Sequence, residues 1–260
     1  MKLIFQPAEE YVSGAKKMIE EGVLENPKVD MVLGAHIWQP LKNGCVGIKP
    51  GAFMASSDNF SIEIKGKSAH GAMPHEGIDC IAAASDFITG IQSLLTRTIP
   101  SNENYVLSFG KISGGMKENT IAEKFELKGT FRTFSIEVKE HIEYQIKNYL
   151  KSKELTHNIT WNYELMNSSL PTINDHDLAL KVKKSIQNII GEENVIPFGP
   201  VMPAEDFSEY CMRVPSVFFF LGTGDEKYIY PHHHPKFDIN EDVLYLGTAS
   251  FTQAIIDLLK

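Results

Sequence analysis

The feature that most constrains this chain is a change of hydrophobic period, near Phe53 and back again after about Met166. Inside that interval apolar residues alternate with polar ones, at Phe60, Ile62 and Ile64, at Phe125, Leu127 and Phe131, and at Ile159, Trp161 and Tyr163. A period of two is what a strand with one buried face requires. Tyr105 to Ile112 reads as a further strand. Two stripes at helical spacing separate these runs: Ile81, Ala84, Ile88, Ile91 and Leu95, then Ile142, Ile146 and Leu150. The order β-α-β-β-α-β predicts a ferredoxin-like α+β unit over residues 54–166.

Outside that interval the apolar runs are continuous. Leu3 to Phe5 reads as a short strand, Ser13 caps a helical pattern through Ala15, Met18, Ile19 and Val23, and Val29 to Ile37 reads as the next strand. After Pro171 come a helix over 177–190, a short strand near Val195, a helical turn at 206–212, the apolar strand 216–221 and a closing helix over 241–259. These predict an α/β domain in two parts, 1–53 and 167–260, with the alternating unit inserted between them. Roughly four strand candidates is the low end for such a sheet. Together with an apolar strand beginning at residue 3, this gives the expectation that the chain is the later part of a longer protein.

A formal net charge of -8 argues against nucleic acid or an anionic membrane as the main partner. Cys45, Cys80 and Cys211 are few, odd in number and unpatterned, which favours a reducing compartment. No apolar stretch has the length of a membrane span or the form of a signal peptide, and the expectation is a soluble cytoplasmic protein.

The residues able to carry chemistry are dispersed. Glu9 and Glu10 follow the first apolar run, His36 ends the second, and His232, His233 and His234 lie in a loop bounded by Pro231 and Pro235. One carboxylate can bind a metal ion while its neighbour takes a proton from the metal-bound water, with imidazoles completing the donor set. Each also has a purely structural reading. Paired carboxylates often solvate a turn, a single histidine is often a half-buried packing residue, and a histidine run is often a polar loop. Nucleophile schemes fare worse: no Gly-x-Ser-x-Gly elbow occurs, and Ser113-Gly114-Gly115 lacks the spacing of a phosphate loop.

Several segments taken together resemble the aminoacylase/carboxypeptidase family of metallo-amidohydrolases, which includes hippurate hydrolases, auxin-conjugate hydrolases and N-acetyl-diaminopimelate deacetylases. They are Phe5-Gln6-Pro7-Ala8-Glu9-Glu10, Ser13-Gly14-Ala15-Lys16-Lys17-Met18, Gly34-Ala35-His36, and Gly51-Ala52-Phe53-Met54-Ala55-Ser56-Ser57-Asp58. Further along come Ala69-His70-Gly71-Ala72-Met73-Pro74-His75, Gly129-Thr130-Phe131-Arg132-Thr133, Glu205-Asp206-Phe207-Ser208 and His233-His234-Pro235-Lys236-Phe237-Asp238. The resemblance implies a metallopeptidase-like α/β catalytic domain, incomplete at its N-terminus, with the ferredoxin-like unit serving as lid and dimerisation domain. It implies hydrolysis of N-acyl amino acids or small peptides by a homodimer, with two divalent ions (Zn, Mn, Co or Ni) per site.

By motif position, the resemblance implies Glu9 as general base, Glu10, His36 and His233 as metal ligands, and His70 as the group that steadies the oxyanion. Asn119 falls where the family places an asparagine near the substrate, and Arg132 follows in the next strand, where a structural role is an equal reading. Three departures stand out. The family's Cys-Gly-His-Asp-type segment, source of two further ligands, has no counterpart here. Thr120-Ile121-Ala122 replaces Val-Ile-Pro, and Pro203-Ala204 replaces Gly-Gly before Glu205. The alternative expectation is therefore a remnant that dimerises and binds ligand or one metal ion without turnover.

Overall fold

Hydrophobic period decides which residues pair in this chain, and tertiary contacts decide where each element stops. The computed structural model describes residues 1–260. In chain order the first elements are α1 (Gly14–Glu20), β1 (Val32–Lys42), β2 (Val46–Gly47) and β3 (Gly51–Met54). Then follow β4 (Asp58–Lys65), α2 (Cys80–Thr98), β5 (Tyr105–Gly114), β6 (Lys124–Thr133), α3 (Ile136–His157) and β7 (Thr160–Ser168). The last are β8 (Thr172–Asn174), α4 (His176–Ile190), β9 (Val195–Ile196), α5 (Ser208–Cys211), β10 (Ser216–Gly224) and α6 (Leu244–Leu258). They form two compact units, one of residues 1–55 with 170–260 and the other of residues 56–169.

The outer unit holds a mixed four-stranded sheet in the order β1-β10-β2-β9, parallel at β1/β10 and β2/β9 and antiparallel at β10/β2. β10 is buried along nearly its whole length, as its unbroken apolar sequence requires. Val217, Phe219 and Leu221 pack with Leu178, Val182 and Ile186 of α4 and Ala254 of α6. Phe218 and Phe220 turn to the opposite face, among Ala15, Phe53, Phe207 and Tyr210. Helices thus cover both faces of one sheet. Gly34 lets α5 approach: a Cβ there would stand 2.6 Å from the Phe207 ring and 2.7 Å from that of Phe218. Asp175 caps α4 by accepting from the Leu178 N–H at 2.9 Å.

Three expectations need correction here. Leu3 to Phe5 is not a strand; no partner strand pairs with it, and Leu3 and Phe5 are 68% and 85% exposed. Three apolar residues without a ladder lack the hydrogen bonds that make extended chain a strand. Second, β1 runs on to Lys42, so His36 sits inside the strand and not at its end. Third, Ser13 stands at the N-cap of α1 but makes no side-chain cap bond. The sheet is mixed, because β2 returns against β10.

The second unit is an antiparallel sheet in the order β5-β6-β4-β7, with α2 and α3 on one face. Its chain order is β-α-β-β-α-β, the ferredoxin-like arrangement. Phe60, Ile62, Ile64, Leu127 and Phe131 pack on Phe87, Ile91 and Leu95 of α2 and Ile142, Ile146 and Leu150 of α3. Burying each large side chain contributes roughly 1.5–3 kcal/mol. Asp79 caps α2 through Ile81 and Ala82, and Ser135 caps α3 through Val138. Lys139 is buried, and it donates to Asp58, to Ser168 Oγ at 2.6 Å and to the Ser169 carbonyl at 3.2 Å. Those bonds tie together the first and last residues of the unit.

Candidate active site

Glu9 and Glu10 lie in a single 3-10 turn, Glu9–Tyr11, bounded by left-handed residues Ala8 (φ 61°) and Val12 (φ 53°). Glu9 is half-buried and Glu10 is exposed. Burial first, then the charges of Glu10 and Asp206, raise the Glu9 pKa above the usual carboxylate range, with His233 opposing. Glu205 is buried and its pKa is pushed up to about 8, chiefly by desolvation, then by Glu9 and Asp206. Asp206 is 1% exposed; its Oδ1 accepts from Gln6 Nε2 at 2.6 Å and its Oδ2 from the Ala15 N–H at 2.9 Å. Three carboxylates thus gather around the turn: Glu9, Glu205 and Asp206.

His36 projects from the same face of β1 as Trp38, and its Nδ1 lies 2.5 Å from the Ile37 carbonyl. A carbonyl only accepts, so Nδ1 is the donor here, and Nε2 is the nitrogen that carries the lone pair in the neutral ring. His232 places Nε2 3.0 Å from that same carbonyl, which leaves Nδ1 as its lone-pair nitrogen. The two rings stand 5.2 Å apart, edge to face, and His232 is also stacked on Trp38 at 5.1 Å and against Phe237 at 5.0 Å. Burial, then His36, lowers the His232 pKa. His233 is exposed with φ 64° and acts electrostatically on Glu9. His234 is stacked on Tyr230 at 4.4 Å, and its Nδ1 accepts from the Lys236 N–H.

In the 56–169 unit, His70 is exposed, and its Nδ1 accepts from the Ala72 N–H at 3.1 Å. A bridge from His70 to Thr120 and a bond from the Gly71 N–H to the Asn119 carbonyl at 2.8 Å bring His70 and Asn119 together. Arg132 is paired opposite Val106, in β6.

The sequence pattern that defines peptidase family M20/M25/M40 matches residues 1–257. The chain belongs to that family. It is 34% identical over 263 residues to an IAA-amino acid hydrolase (ILR1-like 2) of Arabidopsis thaliana, with 99% of this chain and 59% of the relative aligned. It is 36% identical over 252 residues to thermostable carboxypeptidase 2 of Saccharolobus solfataricus, with 95% and 63% aligned. The crystal structure of the Bacillus subtilis YXEP protein, described as a dinuclear metal binding peptidase of the M20 family, superposes with a TM-score of 0.80 at 28% identity. That superposition covers 98% of this chain and 64% of the other. The M20 chain therefore spans about three fifths of the length of the curated relatives it matches.

The donor set can be tested against a metal ion. In kind it fits, since carboxylates and neutral imidazoles with a free lone pair suit several divalent ions. In geometry it is open: no three His, Cys, Asp or Glu side chains of this M20 chain converge on one point. In the sequence His232 stands out only as one of three loop histidines able to complete a donor set, and Glu205 and Asp206 carry no assigned role. Asp206 and Glu205 lie in the Glu-Asp-Phe-Ser segment, and nothing local marks them; their relation to Glu9 arises across nearly 200 residues. No helix is long and apolar enough to cross a membrane.

Proposed function

We propose that this chain serves a metal-dependent amidohydrolase that cleaves N-acyl amino acids or small peptides. Glu9 is the general base, Glu10, His36 and His233 are donors to divalent metal (Zn, Mn, Co or Ni), and His70 steadies the oxyanion. Asn119 and Arg132 hold the substrate. A divalent ion, when bound, supplies Lewis acidity and a water of lowered pKa. The chain's own part is to hold the proton. The observation that carries this reading is Glu9 itself, a half-buried carboxylate beside Glu10 and within electrostatic reach of buried Glu205 and Asp206, with a raised pKa. A base whose proton affinity is raised by burial takes a proton in the attack on the amide and returns it to the leaving amine. The free Nε2 of His36 supports its role as donor.

Homodimerisation through the 56–169 unit is part of the proposal, supported by the outer edges of β5 and β7, which no strand of this chain pairs. Three free thiols support a cytoplasmic, reducing location. The test is Glu9→Gln in the hydrolysing protein. Turnover of an N-acetyl amino acid falls by about 10²-fold or more with metal content unchanged. Retention of most activity would sink the base assignment.

A second reading, a chain that binds ligand or one ion without turnover, is favoured by the open donor geometry. Metal analysis and hydrolysis on one sample separate the two. Two ions with turnover support the enzyme; one or none without turnover supports the second reading.

A further inference from the structure

We infer that Asp206 is a positioning residue that sets the Glu9–Glu10 turn by clamping the chain on both sides of it. Its functional meaning rests on the role proposed for Glu9 and Glu10; its structural content does not. Residues 1–12 pair with no strand, and Leu3, Phe5 and Tyr11 are 68%, 85% and 83% exposed. Apolar packing of this segment rests on the partly buried Ile4, which does not reach the turn itself. The turn is nevertheless flanked by Ala8 and Val12 at positive φ, a conformation that β-branched valine disfavours strongly. Such backbone persists only where its surroundings over-determine it.

What over-determines it is a buried carboxylate. One oxygen of Asp206 receives the Gln6 side chain, upstream of the turn, and the other receives the Ala15 backbone N–H, downstream of it. Charge-assisted bonds of this kind are stronger than neutral ones, and both come from one rigid plane. Ser13, the residue placed to cap α1, makes no such bond, so Asp206 takes over from a distance of 191 residues. Gly14 completes the seat: a Cβ there would lie 1.8 Å from the Pro7 carbonyl oxygen, so residues 6 and 7 pass directly over it. Asp206 is itself mounted on the sheet. Its carbonyl accepts from the Glu209 N–H at 2.9 Å, and the adjacent Phe207 ring packs 4.9 Å from Phe218 of β10. Lys2 bonds the carbonyls of Val23 and Glu25, at the far end of the segment.

The test is amide hydrogen exchange on the full chain as wild type, Asp206→Ala and Asp206→Asn. In Asp206→Ala the amides of Val12 and Ala15 exchange about tenfold faster or more, while those of β10 and α4 stay within about twofold of wild type. Asp206→Asn, which can still accept from the Ala15 N–H and meet a flipped Gln6 amide but lacks the charge, gives an intermediate rate. Unchanged exchange at Val12 and Ala15, or an equal loss of protection through β10 and α4, would overturn the inference. If the alanine variant does not fold, the asparagine variant decides by the same comparison. A failure of the base assignment appears separately, as retained turnover in Glu9→Gln, and leaves these rates untouched.

Discussion

The two units of this chain are built by opposite means. In residues 56–169 a period-two pattern meets helical stripes within one continuous stretch, and every strand pairs with another from that stretch. In the outer unit, β1 pairs with β10 across some 180 residues of chain, and the candidate turn at Glu9 is anchored by Asp206 through bonds spanning 191 and 200 residues. The contrast separates two ways of placing side chains. The self-contained unit rests on apolar burial, which period reveals. The outer unit brings polar groups together from distant segments, and there carboxylates are desolvated and their pKa values pushed up.

The contrast can be broken most forcefully in the inserted unit. Phe131 is fully buried in its core, and Phe131→Ala should cost about 3–5 kcal/mol, measured as lost amide protection across β4, β6 and α3. A cost below about 1 kcal/mol would mean that this core is not what holds the unit.

A smaller effect of opposite sign is expected in the outer unit. Glu205 has its pKa raised to about 8 in the folded chain, so between its ordinary value near 4.5 and 8 the folded state keeps a proton that the unfolded state releases. Stability therefore falls as pH rises through that window. Glu205→Gln removes the slope and should stabilise the chain at pH 8 by roughly 1–3 kcal/mol, with little difference at pH 4. Urea denaturation at several pH values measures this; a variant with the wild-type pH slope would show that Glu205 is not the group responsible. The smallest effect belongs to the exposed ladder of Lys65, Glu63, Lys124 and Glu126. The lysines hold Glu63 well below the usual range, to about 2, yet it is solvated, and Glu63→Gln should leave the melting temperature essentially unchanged.

Legibility in the sequence followed the same division. The runs through Phe60, Phe125 and Trp161 form β4, β6 and β7, and the stripes through Ile88 and Ile146 form α2 and α3. Strong periodicity survives tertiary context because it specifies the buried face residue by residue. The short runs were less secure. Leu3 to Phe5 has the composition of a strand and no partner, and the two-residue strands β2 and β9 are too short to leave any pattern. At the candidate site, Glu9, Glu10 and His36 could be picked out as candidates from type and motif. The pairing of His36 with His232 and the clamp by Asp206 could not.

By itself, then, the sequence determined the class of each long element, the charge balance and the residue types available for hydrolytic chemistry, because these depend on local pattern and composition. Family membership also follows from it, through motifs spread over residues 1–257. Tertiary structure alone decided which histidine of three faces His36, which carboxylates are desolvated together, and what caps α1. The physical reason is distance along the chain. Burial and hydrogen bonding between residues nearly 200 positions apart leave no local periodicity, and only the folded packing brings them within bonding range.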